Sequence, residues 1–207
     1  VEYVRSLLGM IQENFTYESV FRYLRSGYCE FTEDEIDRLE NYCLALGIKG
    51  YKKWQQAWAR KTKEADEEEV EKLNHLRVKF VEKIDPLMFV SRQKKKTVLD
   101  ITLAVYEFIA GEHLQEKLEQ QQKFFAEQGE LTLAKEYEQI YRIVMELFDK
   151  FSELLGDEPI TLKEYCELLD AGFEEAKVGV IPPSIDQVVI GDVERTRMKD
   201  IRALFFV

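Results

Sequence analysis

Proline and glycine are scarce, 4 and 10 in a chain of 207 residues. With Glu, Leu, Lys and Gln abundant, so few breakers suit long helices rather than a succession of short, turn-bounded elements. Cysteine is scarcer still: Cys29, Cys43 and Cys166 are odd in number, widely spaced and form no CxxC. That speaks against a disulfide framework and for free or buried thiols in a reducing compartment, hence the cytoplasm. The two histidines, His75 and His113, stand 38 residues apart with no metal-ligand motif around them. A zinc site finds no support, and both read as solvated imidazoles on helix surfaces. No window approaches the roughly 18 unbroken apolar residues of a membrane span, and the N-terminus lacks the charged-then-apolar pattern of a signal peptide. Positive charge is in the minority, 29 Lys and Arg against 40 Asp and Glu, which leaves −11. The mean field repels phosphates, so the chain as a whole is not a simple polyanion binder.

What is present is an ordinary apolar content of 45%, enough for a sizeable core in one large domain or one domain plus a piece of another. Residues 1–15 place Val4, Leu7, Leu8, Ile11 and Phe15 on one helical face. Thr16 or Tyr17 opens a short helix through Val20, Phe21 and Leu24 that ends near Ser26-Gly27. Thr32-Glu33-Asp34-Glu35 is a capping box, and the helix it starts carries Ile36, Leu39, Tyr42, Cys43 and Leu46 before stopping at Gly47. An aromatic stretch with Tyr51, Trp54 and Trp58 follows a Gly-Ile-Lys-Gly turn. Lys61 to Lys72 is nearly all charged, either a surface loop or the solvated start of a helix. The next helix, through Leu73, Leu76, Phe80 and Ile84, is expected to break or kink near Pro86. After Arg92-Gln93-Lys94-Lys95-Lys96 come Val98, Ile101, Val105, Phe108 and Ile109, then a Gln- and Glu-rich stretch to about Gln128.

The strongest periodicity is 133–155, where Leu133, Tyr137, Ile140, Tyr141, Val144, Leu147, Phe148, Phe151, Leu154 and Leu155 repeat at three and four residues. It predicts an amphipathic helix central to the core. Thr161 caps a further helix with Leu162, Tyr165, Cys166, Leu169 and Phe173. Residues 130–177 hold 13 acidic and 5 basic side chains, a local balance of −8. Beyond residue 177 the two prolines of Val178-Gly-Val-Ile-Pro-Pro-Ser184 forbid helix. Gln187 to Asp192 and Ile201 to Val207 read as buried strands. The chain stops inside the second, as expected of a piece cut from a longer protein.

Few motifs carry chemistry. Val188-Val-Ile-Gly-Asp192 imitates an apolar strand ending in a metal-holding Asp, but no GxxxxGK[ST] occurs in the sequence to cradle a phosphate. Asn14-Phe15-Thr16 matches a glycosylation sequon that a helix end explains better. Glu194-Arg195-Thr196-Arg197-Met198-Lys199-Asp200 places three cations within five residues on an inter-strand connection, a candidate phosphate contact. A solvated loop whose arginines pair with Asp192, Glu194 and Asp200 is the simpler account. Trp54 and Trp58, with Lys52, Lys53, Arg60 and Lys61 around them, combine stacking and charge as single-strand binders do; core packing suits the same spacing better. Lys94, Lys95 and Lys96 form a weaker nucleic-acid candidate, with a solvated loop as the default. No Ser/His/Asp or Cys/His set is readable, so no catalytic or metal site is assigned.

Two stretches are more specific. Tyr17-Glu-Ser-Val-Phe-Arg-Tyr-Leu-Arg-Ser-Gly27, Glu35-Ile-Asp-Arg-Leu-Glu-Asn-Tyr42 and Leu46-Gly-Ile-Lys-Gly-Tyr-Lys-Lys-Trp54 resemble the B-subunit (AddB) family of bacterial ATP-dependent helicase/nucleases. The tail from Val180 to Val207 resembles the same family; the middle, about 60–175, carries only a compatible helical pattern. The resemblance implies a superfamily-1, UvrD-like architecture with a degenerate motor. In it residues 1–15 lead in from a RecA-like 2A domain, residues 16–177 form an all-helical 2B-like subdomain, and residues 178–207 return with two strands to 2A. It implies ATP, Mg2+ and an iron–sulphur cluster elsewhere in the parent chain and none here. It also implies two partners, DNA and the helicase/nuclease A subunit. Asp192 to Lys199 then falls where active motors couple nucleotide to DNA, but reads Asp-Val-Glu-Arg-Thr-Arg-Met-Lys instead of His-Ser-x-Lys-Gly-x-Glu. ATP hydrolysis there is in doubt, while backbone contact through Arg195, Thr196, Arg197 and Lys199 gains ground.

The expectation is therefore a mainly α, non-catalytic piece that shapes a DNA path and a subunit interface. The rival is a helical docking module with acidic faces and no DNA contact. Surface charge separates them: a basic strip including 52–61, 92–96 or 195–199 favours DNA, a uniformly acidic surface favours docking.

Overall fold

The computed structural model describes residues 1–176. Nine helices account for the described residues: α1 (Glu2–Gln12), α2 (Tyr17–Leu24), α3 (Glu33–Leu46), α4 (Tyr51–Gln55), α5 (Glu67–Arg92), α6 (Val98–Gly111), α7 (Leu114–Glu127), α8 (Leu131–Leu155) and α9 (Leu162–Glu175). Among the described residues no β-strand forms, and one isolated antiparallel bridge joins Thr97 to Pro159. No helix there is long and apolar enough to cross a membrane. The chain is mainly helical. The two strands expected at 187–192 and 201–207 lie outside the described residues.

Helix starts follow local chemistry. Thr32, Thr97 and Thr161 each accept the N3 backbone N–H while Glu35, Asp100 and Glu164 reach back to the cap, three reciprocal capping boxes. Thr16 caps α2 and Asp66 caps α5. Gly47 ends α3 at φ 60°, a left-handed position that costs glycine nothing. His113 takes the same region at φ 52° and separates α6 from α7, so it sits at an elbow and not on a helix surface.

α5 and α6 are the central pair. α3 and α4 pack on α5, while α7, α8 and α9 pack on α6. α1 lies against α2 and α9, where Arg5 Nε donates to Asp170 at 2.5 Å. The core centres on Phe80 of α5, with Trp54 at 5.0 Å, Phe15 at 6.1 Å, Tyr23 at 6.2 Å and Phe31 at 6.4 Å between ring centroids. Phe15 itself stands outside α1, at φ 57°.

Two expectations change. α5 runs unbroken through Pro86. The proline is exposed, and Ile84, Leu87 and Met88 are buried on either side of it. Packing thus holds the helix across a missing N–H that would end an isolated one. The charged stretch 61–72 is a loop up to Asp66 and the first turn and a half of α5 after it. α8, in turn, is not buried along the whole stripe. Val144, Leu147, Phe148 and Phe151 are buried, but Leu133 and Leu155 are exposed and Leu154 is 77% exposed. The N-terminal half of α8 has α7 as its main neighbour, through the Phe125–Tyr137 stack at 5.2 Å. A two-helix hairpin covers only one side of each member.

Candidate nucleic-acid interface

Of the candidates read from the sequence, Arg195, Thr196, Arg197 and Lys199 lie outside the described residues. Lys94, Lys95 and Lys96 are placed. They follow the last turn of α5, where Gln93 is the C-cap, and precede the Thr97 cap of α6. Three backbone bonds pin the end of this connection and the start of α6 to the 156–160 segment: Ile160 N to Lys96 O at 3.1 Å, Val98 N to Glu158 O at 3.0 Å, and Leu99 N to Gly156 O at 3.0 Å. In place of a freely solvated loop, the chain here is fastened at its root. Lys94 and Lys95 are exposed, and Lys96 Nζ donates to Gln93 O at 3.1 Å.

The fold brings Arg92 and Gln93, just before this run, beside α4. α4 packs on the C-terminal half of α5, and a groove of about 470 Å³ opens between them. Tyr51 and Gln55 of α4 line one wall. Asp85, Met88, Phe89 and Arg92 of α5, spaced three and four residues apart and so on one face, line the other, with Gln93 at the end. The Arg92 guanidinium lies 4.6 Å over the Tyr51 ring. Lys52 and Lys53 stand exposed on α4 between the two groove-lining residues, and Lys49 is exposed in the turn before it. Among the described residues, Lys49, Lys52, Lys53, Arg92, Lys94, Lys95 and Lys96 make no ion pair. Other cations do. Arg38 forks onto Glu69 at 2.6 and 2.7 Å. Lys83 bonds Glu30 and the buried Glu112. Burial works against the Lys83 ammonium, but these two carboxylates overcome it and raise its pKa. Among the described residues, α4 and the α5–α6 connection thus carry a cluster of unpaired positive charge, with Asp85 inside the groove and Asp157 and Glu158 on the facing connection.

A buried polar lock positions α4. Arg77, 6% exposed, donates to Trp54 O at 2.7 Å and to Asn74 Oδ1 at 3.0 Å. Asn74 accepts from Trp58 N at 2.9 Å and donates to Trp58 O at 2.7 Å. Trp54 and Trp58 are both buried, and α4 ends at Gln55, so they do not share a helix. They are core residues, as the spacing favoured, and offer no stacking face. Phe89 does, being 70% exposed. It falls off the Leu73–Leu76–Phe80–Ile84 stripe, which is the signal the sequence holds for it.

No family model matches this chain. It is 47% identical over 210 aligned residues to the B subunit of the ATP-dependent helicase/deoxyribonuclease of Lachnoclostridium phytofermentans, in a match that covers 100% of this chain and 18% of that protein. The namesake from Clostridium novyi is 38% identical over 205 residues, covering 99% of this chain and 18% of its own length. That of Alkaliphilus metalliredigens is 38% identical over 222 residues, covering 100% and 19%. The chain is a homologue of one segment of these B subunits. It spans about a fifth of the length of the relatives it matches, and the similarity runs through the middle, where the sequence offered only a helical pattern.

Proposed function

We propose that this chain is a non-catalytic piece of the B subunit in an ATP-dependent helicase/nuclease that, together with its A subunit, unwinds and resects DNA double-strand ends for recombinational repair. Residues 16–177 form the 2B-like helical insertion in this reading, residues 1–15 the helix entering it, and residues 178–207 the return to a 2A-like sheet. The observation that carries it is the similarity to such B subunits over the whole chain, at 47% identity with one relative. The basic edge of α4 and the α5–α6 connection supports a DNA-facing role within it. No GxxxxGK[ST] cradle for the phosphates of ATP occurs in the sequence. Among the described residues no group of three or more His, Cys, Asp and Glu is placed to hold a metal ion. ATP, Mg2+ and the iron–sulphur cluster belong to other parts of the parent in this reading.

The test is a set of charge variants in the assembled two-subunit complex. Replacing Lys94, Lys95 and Lys96 by Gln, or Arg195 and Arg197 by Ala, is expected to flatten the log-affinity against log-salt slope. The change is roughly 0.7 per lost phosphate contact for single strands and 0.9 for duplex. Unchanged slopes for both sets would favour the second reading, a docking module. That reading has its own observation: Phe124, Leu131 and Leu133 are exposed near the α7–α8 turn, at 54, 64 and 37%.

A further inference from the structure

We infer that the groove between α4 and the last turns of α5 receives one unpaired base of single-stranded DNA, stacked on Phe89, with the adjoining phosphates on Arg92, Lys94 and Lys95. The inference rests on the DNA-facing reading above and names the strand and the seat.

Four observations converge. Phe89 presents a ring that is 70% exposed at the groove wall, and among the described residues no other aromatic ring stacks on it. An aromatic face beside unpaired cations is the arrangement by which proteins hold single strands, because every base offers a π-face and every link a phosphate. The groove, about 470 Å³, is of the size that small ligands occupy and admits one base, while a duplex keeps its bases stacked inside. Gln55 and Gln93 line it, and their amides make no hydrogen bond among the described residues, so both can pair with a base edge. An amide both donates and accepts, which suits binding without strong sequence preference.

The charges fix the direction. Tyr51 holds the Arg92 guanidinium by its face at 4.6 Å, which leaves the N–H fork free for a phosphate. Lys94 and Lys95 extend the positive edge from there along the pinned connection. Asp85, one turn before Phe89, repels a phosphate, so the backbone must pass the Arg92 end and only base N–H groups can approach Asp85. The floor is Met88, 4% exposed, so the base would meet an apolar surface beneath it.

The experiment uses the full-length parent protein in its two-subunit complex and a single-stranded oligothymidylate carrying 5-iodouracil, crosslinked by ultraviolet light and mapped by mass spectrometry. A crosslink on the segment 84–93 is expected, lost with Phe89→Ala and retained with Phe89→Tyr. Single-strand occupancy at this site should fall roughly 5- to 150-fold with Phe89→Ala, the worth of one base–aromatic stack, with duplex affinity unmoved. A crosslink that persists in Phe89→Ala, or one confined to other segments, overturns the inference and leaves the DNA-facing reading standing. No binding of either DNA form by the complex overturns both. Because Phe89 is largely exposed, its replacement does not threaten the fold, so a negative result counts.

Discussion

Asn74 and Arg77 do at residue scale what no helix propensity could: they tie the α4 turn and the Trp58 loop to α5. Asn74→Ala leaves the N–H and C=O of Trp58 without their partners. It is expected to lower stability by about 1–3 kcal/mol, since buried polar groups left unpaired lose their full solvation; thermal unfolding of the variant measures it. Glu30 illustrates the opposite case, a carboxylate at the surface. Its hydrogen bonds to Lys83 and then Lys79 hold its pKa down at about 2. A depressed folded-state pKa contributes stability above the ordinary carboxylate value of 4.5, lost as pH falls from there through about 2. Urea midpoints of the parent and Glu30→Gln should therefore differ at pH 7 and converge near pH 2. Equal midpoints at pH 7 would show that solvent screens the pair entirely. Burial pushes the Cys43 thiol up to about 12, so alkylation at pH 8 should spare it in the folded chain.

At the scale of elements, α8 carries the sharpest revision. Its apolar stripe is continuous in sequence but buried only where α6 and α9 reach it. Val144→Asp places a charge at a position 5% exposed and is expected to cost at least about 3 kcal/mol, a large fraction of a domain's stability of about 5–15 kcal/mol. Leu154→Asp, at a site 77% exposed, should leave the melting temperature almost unchanged. Equal melting temperatures for the two variants would show that Val144 does not face the core. Where α8 meets α9, Gly172 admits no Cβ comfortably: one would stand 2.7 Å from Leu147 Cδ1 and 3.1 Å from Phe151 Cζ. Gly172→Ala trades a gain in helix propensity of about 1 kcal/mol against an overpacking cost of about 1–3 kcal/mol. A small net loss in the denaturation midpoint is the expected sign.

For the whole molecule, the proposed reading requires a chain of net charge −11 to sit beside DNA. Neutralisation among the described residues is uneven: Lys79, Lys83, Lys117, Arg25 and Arg38 sit in ion pairs there, while the cations of α4 and of the α5–α6 connection do not. A polyanion approaching that edge meets local attraction within the Debye length of about 8–10 Å, inside which the net charge counts for little. The 207-residue chain by itself is expected to release no phosphate from ATP above a buffer blank, with or without DNA, because it offers no nucleotide cradle. Turnover by the purified chain would show a site that the sequence hides.

Sequence alone determined most of the helices and the ends marked by threonine caps and Gly47, but not the break at His113 that separates α6 from α7. Threonine caps, Gly47 and the three-and-four spacing act over one or two turns, so the residues that decide them are neighbours in the chain. It also determined that Trp54 and Trp58 favour the core, since rings that large gain most by leaving water. Only the tertiary structure decided that α5 survives Pro86, that the ends of α8 stay wet, and that Tyr51 meets Arg92 and Gln93. Each of those outcomes depends on which helix lies alongside, and hydrophobic spacing says that a face is buried without saying against what. Phe89 escaped notice for the same reason: an off-stripe aromatic acquires meaning only when the fold sets unpaired cations beside it.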